Sequence, residues 1–185
     1  MMDQMNQDIE YVLADRDLLN DLCEKIGKQI TEDYKNSPHP LVFVIVLKGS
    51  VYFATDLIRC VPLPCEMEFM KVSSYGAGTE TSGFIQVHLD LKRDVTDCDV
   101  IIIEDIIDSG RTLEKLSHLL ADRGAHSVKC CTLLDKPERR QVALDADYVG
   151  MRIPDEFVVG YGLDYDEKYR NLPYVGVLKP SVYTK

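Results

Sequence analysis

Apolar positions along the chain alternate between helix-like and strand-like spacing. A helical stripe follows Asp15, whose carboxylate is a good N-cap. The apolar positions of this stripe are Leu18, Leu19, Leu22, Ile26 and Ile30. A second helix is predicted over about 50–59, with Ser50 as its N-cap, and a third over about 111–123. Helical patterns therefore recur along the chain and are separated by segments of a different period.

Strand-like patterns occupy those intervening segments. Residues 41–47 form a continuous apolar run, typical of a strand that is buried on both faces in a parallel sheet, and residues 100–103 form another. Residues 85–89 alternate between apolar and polar, which predicts a half-exposed strand. Further strands are expected at 8–13, 67–72, 127–134, 148–151, 157–159 and 174–178. This alternation predicts an α/β fold with a mainly parallel, twisted sheet and helices on both faces.

Composition and charge narrow the possible partners. The chain has 185 residues, of which 45% are apolar and 28% charged, and this suits a single domain over 1–185. The net charge of −10 argues against nucleic acid or an anionic membrane as partner. No apolar run is long enough to cross a bilayer, and residues 1–10 lack the features of a signal peptide, so a cytoplasmic location is expected. The six cysteines include no C-x-x-C pair, which favours reduced, mostly buried thiols.

The candidate chemistry is concentrated in residues 100–112. Here a buried strand leads to Asp-Ser-Gly-Arg-Thr at the start of a helix. The N–H groups and the dipole of a helix N-terminus favour a phosphate. Ser109 and Thr112 can add hydroxyl donors, and Gly110 allows the backbone to approach closely. The pattern therefore predicts an anion cradle.

Two adjacent carboxylates, Glu104 and Asp105, precede the cradle and would repel a phosphate on its own. They suit a ligand that also carries a diol or a bound divalent cation. The segment therefore fits a sugar that bears both hydroxyls and phosphate. Polar residues at 48–49 and 135–136 also follow apolar strands, and the carboxyl ends of such strands are where ligands bind in open α/β sheets.

Residues 104–112 resemble the phosphoribosyl-pyrophosphate loop of the type I phosphoribosyltransferases. The resemblance covers nearly the whole chain and is to the hypoxanthine(-guanine) members of the family. Residues 47–49 are similar to the family's pyrophosphate loop, in which an unusual cis peptide precedes the lysine. Residues 73–84 resemble a flexible lid, and residues 157–172 resemble the purine-binding segment. The resemblance implies the type I phosphoribosyltransferase fold, with a small purine-binding hood formed by the N-terminal segment and roughly 150–185.

The resemblance also implies a role for each matching residue. Asp108 would act near the reacting purine nitrogen, either by accepting a proton or by stabilising positive charge on the ribose. The implied phosphoribosyl-binding residues are Glu104, Asp105, Ser109, Gly110, Arg111 and Thr112. The implied pyrophosphate-binding residues are Lys48, Gly49 and Arg170, and the lid residues are Ser74 and Tyr75. The implied Mg²⁺ ligands are Glu104, Asp105 and Asp164.

The implied purine contacts are Lys136, Phe157 and Val158. Lys136 would donate to the 6-oxo group, Phe157 would stack on the base, and Val158 would offer its backbone groups to the purine edge. A cation cannot pair with the 6-amino group of adenine, so an oxopurine is expected as substrate. The expected partners are phosphoribosyl pyrophosphate and hypoxanthine or guanine, and the expected assembly is a homodimer or homotetramer.

Other functional classes fit the sequence less well. Regulators that use the same fold normally add a nucleic-acid-binding domain or a basic face, and neither is evident in this acidic chain. A receiver domain would place its acidic strand end near the N-terminus and has no phosphate cradle. Gly160 and Gly162 provide only two of the three glycines of a dinucleotide fingerprint, and there is no G-x-x-x-x-G-K-[ST] loop.

Overall fold

The computed structural model describes residues 2–74 and 85–184. The helices are α1 (Met2–Gln7), α2 (Arg16–Tyr34), α3 (Val51–Arg59), α4 (Arg111–Asp122) and α5 (Pro180–Tyr183). The strands are β1 (Ile9–Ala14), β2 (Leu41–Val46), β3 (Cys65–Ser74), β4 (Ile85–Leu89), β5 (Asp99–Ile107), β6 (Ser127–Asp135), β7 (Tyr148–Arg152), β8 (Val158–Val159) and β9 (Val175–Leu178). A 3₁₀ turn spans Pro137–Arg139.

The main sheet has six strands in the order β4-β3-β2-β5-β6-β7. Five of them are parallel neighbours, and only β4 runs antiparallel, beside β3. Side chains of β2 and β5 alternate between two apolar clusters, one that includes α2 and α3 and one that includes α4. Helices therefore cover both faces, which is the predicted α/β architecture and explains why these strands are apolar at every position.

A second, smaller sheet lies outside the main one. It contains three antiparallel strands in the order β1-β9-β8. The hydroxyl of Tyr169 donates to Asp8 (2.8 Å) and that of Tyr174 donates to Asn6 (2.5 Å), so the N-terminal segment is joined to the end of the chain. This sheet consists of the two segments that were expected to form the hood.

Several local predictions differ from the structure. Ser50 does not cap α3 with its side chain, because its hydroxyl donates to the carbonyl of Val46. Leu18 was assigned to the apolar stripe of α2 but is 38% exposed. Strand β5 was predicted to end at Ile103 and continues to Ile107, since its pairing with β6 extends through the acidic positions. The cap at Asp15 is confirmed, with its carboxylate accepting from the Leu18 N–H at 2.9 Å.

No helix within residues 2–74 and 85–184 is long and apolar enough to cross a bilayer.

Candidate active site

A cleft of about 350 Å³ opens at the carboxyl ends of β2 and β5. Its walls come from the two strand ends, the start of α4 and the segment before β9. The lining residues are Val46, Leu47, Lys48, Gly49, Val72, Glu104, Asp105, Ile106, Ile107, Asp108, Ser109, Gly110, Thr112, Leu113, Asp164 and Arg170. The cleft thus brings together most of the residues for which sugar, phosphate or metal binding was predicted.

The loop between β5 and α4 has a conformation that requires glycine. Gly110 is the N-cap of α4 with φ of +80°, a left-handed conformation that side chains with a Cβ rarely adopt. The segment after β6 is bonded to this loop: the Lys136 N–H donates to the Ile107 carbonyl (3.0 Å) and the Gln141 N–H to the Ser109 carbonyl (3.0 Å). The cradle is therefore fixed by its neighbouring strand as well as by its own helix.

Arg140 adds side-chain contacts to the same loop. Its guanidinium donates to the backbone carbonyl of Asp108 (2.9 Å) and to the buried carboxylate of Asp135. Both the loop and the guanidinium are thereby anchored to the end of β6.

The turn after β2 lies against the acidic pair. The Leu47–Lys48 peptide is cis, as the resemblance implied. A Cβ on Gly49 would overlap the carboxylate of Asp105, so only glycine lets these two segments meet. The ammonium of Lys48 bonds to Glu167 at 2.8 Å, so a pyrophosphate would have to compete with this exposed carboxylate.

Arg170 projects into the cleft beside Lys48. Its guanidinium donates to the Gly162 carbonyl (2.7 Å) and pairs with Asp164 (2.9 Å) and Glu167 (3.5 Å). It is therefore held by the backbone and can exchange carboxylate partners for an incoming anion.

The predicted purine contacts do not line the cleft but lie together beside it. Lys136, at the end of β6, has an ammonium that donates to the Glu156 carbonyl (2.7 Å) and bonds to Asp155 (3.3 Å). Phe157 comes directly after Glu156 in the sequence. Its side chain is 38% exposed, and its ring stacks on that of Tyr183 with the ring centroids 4.9 Å apart. Lys136 is only 9% exposed, which excludes the ordinary fate of a solvated surface lysine.

Four predicted site residues offer no side chain to the cleft within the described structure. Val158 lies in β8, where its side chain is buried and its backbone pairs with Val177, so any base contact would come from its main chain. Arg111 is exposed at the start of α4 and does not line the cleft. Tyr75 lies outside the described residues, and only the backbone of Ser74, at the end of β3, lies within them.

Comparison with known proteins resolves the family. A model of the phosphoribosyl transferase domain matches residues 13–166. A hypoxanthine-guanine phosphoribosyltransferase of Staphylococcus epidermidis is 50% identical over 181 residues, which cover 98% of this chain and 100% of the relative. The chain belongs to the phosphoribosyl transferase family.

Solved structures agree with this membership. A crystal structure of a hypoxanthine phosphoribosyltransferase from Staphylococcus aureus superposes with a TM-score of 0.93 at 48% identity, covering 98% of this chain and 97% of the other. A second crystal form of the same protein gives a TM-score of 0.90 at 47% identity, with 97% and 98% covered. The fold predicted from the sequence, that of a type I phosphoribosyltransferase, is therefore confirmed.

The acidic pair of this phosphoribosyltransferase domain has raised pKa values at both carboxyls. Desolvation and the neighbouring Asp105 raise the pKa of Glu104 well above its usual range. Desolvation raises the pKa of Asp105 to about 6, against the lowering effect of its hydrogen bond to the Ile106 N–H. Half-buried carboxylates of this kind are compensated by a hard divalent cation, so the residues fit Mg²⁺.

The three predicted Mg²⁺ ligands do not form a complete cage by themselves. Glu104, Asp105 and Asp164 all line the cleft, but within residues 2–74 and 85–184 no three His, Cys, Asp or Glu side chains converge as a metal site. Mg²⁺ usually takes one or two carboxylates and completes its shell with water and substrate oxygens. The donor set is therefore of the kind that binds the ion together with a phosphate substrate.

Reasoning from the sequence missed several residues at the site. Glu167, Arg139, Arg140 and Asp155 each contact a predicted site residue. The available signal was the adjacent pair Arg139 and Arg140, which follows Asp135-Lys136 after two intervening residues. Charged residues in such positions are more often solvated, so the signal could not identify their partners.

Proposed function

We propose that this chain transfers the 5-phosphoribosyl group of phosphoribosyl pyrophosphate to hypoxanthine or guanine and releases pyrophosphate. The observation that carries the proposal is the placement of a buried lysine and an exposed phenylalanine, Lys136 and Phe157, beside a cleft lined by the phosphate cradle. A phosphate subsite alone would suit many enzymes. The adjacent cation and aromatic ring are what select an oxopurine.

In the proposed reaction, the bond from the anomeric carbon to the pyrophosphate oxygen breaks and a bond from that carbon to the purine nitrogen forms. Ser109, Gly110 and Thr112 hold the 5-phosphate, while Lys48 and Arg170 bind the pyrophosphate. Glu104 and Asp105 accept from the ribose hydroxyls. Bound Mg²⁺ would neutralise charge on the leaving pyrophosphate.

Asp108 has the role that depends most on geometry. Its carboxylate, half-exposed at the cleft, accepts the proton of the purine or stabilises positive charge on the ribose as the old bond lengthens. Residues 73–84, with Ser74 and Tyr75, act as a lid that excludes water, which would otherwise hydrolyse the activated sugar.

We expect the enzyme to be cytoplasmic and to form a homodimer or homotetramer. Its expected partners are small-molecule substrates. The hood is formed by the N-terminal segment and roughly 150–185, within a single domain over 1–185.

The test is product formation from phosphoribosyl pyrophosphate and Mg²⁺ with hypoxanthine, guanine, xanthine and adenine supplied separately, and with an EDTA control. Metal-dependent turnover of hypoxanthine or guanine, with adenine poor, supports the proposal. Folded protein that binds phosphoribosyl pyrophosphate but turns over none of the four bases would contradict it and favour a non-catalytic regulator.

A further inference from the structure

Four charged side chains form a continuous bridge between the two halves of the site. The Nε of Arg139 donates to the Asp108 carboxylate at 2.5 Å, and the Nη1 of the same guanidinium donates to the Asp155 carboxylate at 3.1 Å. The second oxygen of Asp155 is 3.3 Å from the ammonium of Lys136. The proposed catalytic carboxylate is thus connected to the proposed purine-selecting lysine through one arginine and one aspartate.

The backbone fixes the position of this bridge. Arg139 ends the 3₁₀ turn Pro137–Arg139, and its N–H donates to the Lys136 carbonyl at 3.2 Å. The turn begins where Lys136 is bonded to Ile107, one residue before Asp108. Arg139 therefore reaches Asp108 from a segment that is itself attached to the loop that carries Asp108.

Stability does not account for the bridge. The side chains of Arg139 and Asp108 are 51% and 48% exposed, and exposed ion pairs contribute little to the free energy of unfolding. Asp155 is 45% exposed as well. The arrangement therefore has more consequence for the direction and charge of the groups it joins than for folding.

The bridge places a positive charge in an acidic part of the cleft. Asp108 lines the same cleft as the acidic Glu104 and Asp105, and the Arg139 guanidinium offsets negative charge there. Asp155 accepts from the Nη1 of the same guanidinium, so two carboxylates share this cation. The Arg139 and Lys136 cations hold the pKa of the Asp155 carboxyl below its usual range, so Asp155 stays ionised in this position.

We propose that Arg139, held by Asp155, is a positioning residue that orients the carboxylate of Asp108 towards the purine and couples it to Lys136. This rests on the proposed function. Arg139 itself does not contact the reacting atoms. Arg139 acts through Asp108. Loss of the Arg139 side chain therefore lowers kcat with a purine substrate and leaves binding of phosphoribosyl pyrophosphate intact.

The experiment compares Arg139→Gln, Arg139→Lys and Asp155→Asn with wild type in the full reaction. Because orientation of a group that transfers or attracts a proton is lost, kcat for hypoxanthine in Arg139→Gln should fall about tenfold. The KM for phosphoribosyl pyrophosphate should stay within about twofold, which is the split expected when a positioning contact is removed. Arg139→Lys, which keeps the charge, should recover part of the loss.

The matched control is Arg123→Gln, which removes a partly exposed arginine from its ion pair with Asp90 at the far end of α4. It should keep wild-type kinetics. Combining Arg139→Gln with Asp155→Asn should cost less than the product of the two single effects, because both break the same bridge. Melting temperature of each variant establishes that it is folded.

Three results would overturn the inference. They are unchanged kcat in Arg139→Gln, a loss confined to the KM for phosphoribosyl pyrophosphate, and no recovery in Arg139→Lys. Failure of the proposed function itself is distinguishable, since wild type would then show no turnover of any oxopurine.

Discussion

Gly162 faces the carbonyl oxygen of Gly49 so closely that a methyl group on Gly162 would overlap that oxygen. Gly162 has φ of +106°, and its own carbonyl accepts from Arg170. One glycine in the segment before β9 thus sets the position of the turn that carries Lys48. Glycine at this position is required both by backbone conformation and by the approach of a second backbone.

Replacing this glycine should therefore damage substrate binding more than folding. In Gly162→Ala the turn must move, and a displacement of about 1 Å can cost on the order of 100-fold in kcat/KM for phosphoribosyl pyrophosphate. The matched control is Gly124→Ala, which also has a positive φ (+84°) but whose nearest neighbour to a new Cβ is 3.4 Å away. Steady-state kinetics and melting temperature of both variants separate the clash from the backbone strain. Equal kinetic losses in the two would refute the role of the contact.

Asp108→Asn should remove the group that accepts a proton or stabilises positive charge while leaving the cradle backbone in place. Turnover should fall by roughly 100-fold or more, the usual worth of such a group. Binding of phosphoribosyl pyrophosphate, measured by calorimetry, should be retained. Glu138→Gln, an exposed acid in the adjacent 3₁₀ turn, is the control and should behave as wild type. Unchanged turnover in Asp108→Asn would remove Asp108 from the mechanism.

Lys136→Met should weaken discrimination against adenine, since it removes a cation that donates to a 6-oxo group and cannot pair with a 6-amino group. The ratio of kcat/KM for hypoxanthine to that for adenine should fall by about 10- to 100-fold. Lys129→Met changes a partly buried lysine within β6, the strand that Lys136 follows, and should leave the ratio unchanged because Lys129 pairs with Asp33. A ratio that survives in Lys136→Met would assign base selection elsewhere.

The acidic pair predicts an unusual dependence of stability on pH. The folded pKa of Asp105 is raised to about 6, and that of Glu104 is also raised well above its usual range. Between their unfolded and folded pKa values the folded state binds more protons, so these groups favour folding at low pH and lose that contribution as pH rises through about 6. In EDTA, the melting temperature of wild type relative to Asp105→Asn should therefore decrease as pH rises from 4 to 8.

Added Mg²⁺ should oppose this decrease, because ionised carboxylates bind the ion. Thermal scans at each pH, with EDTA or Mg²⁺, provide the measurement. A difference between wild type and Asp105→Asn that does not change with pH would show that Asp105 does not titrate in this range.

The sheet and the glycine-containing loop between β5 and α4 could be predicted from the sequence because their signals are local. Each pattern can be recognised within a dozen residues of sequence. This holds for the apolar runs of β2 and β5 and for the Asp-Ser-Gly-Arg-Thr turn. Side-chain pairs between distant segments carry no such signal. Lys48 and Glu167 are 119 positions apart, and Arg139 and Asp108 are 31 apart.

The same reasoning explains the errors within elements. Ser50 has the residue type of an N-cap, but its hydroxyl is drawn to the Val46 carbonyl at the end of β2. The extension of β5 past Ile103 depends on pairing with β6, since polar strand ends are recognised only when a neighbouring strand is present.

The hydrogen bond from the Lys136 N–H to the Ile107 carbonyl joins the end of β6 to the end of β5. The loop that carries Asp108 follows β5 and Lys136 follows β6, and these strands are adjacent and in parallel register, with Ile107 opposite Asp135. The separation between these two segments is therefore set by the spacing of neighbouring strands, about 4.8 Å, rather than by the length of a loop. Under the proposed function, the sheet itself fixes how far apart the phosphate and the base of a ligand must lie.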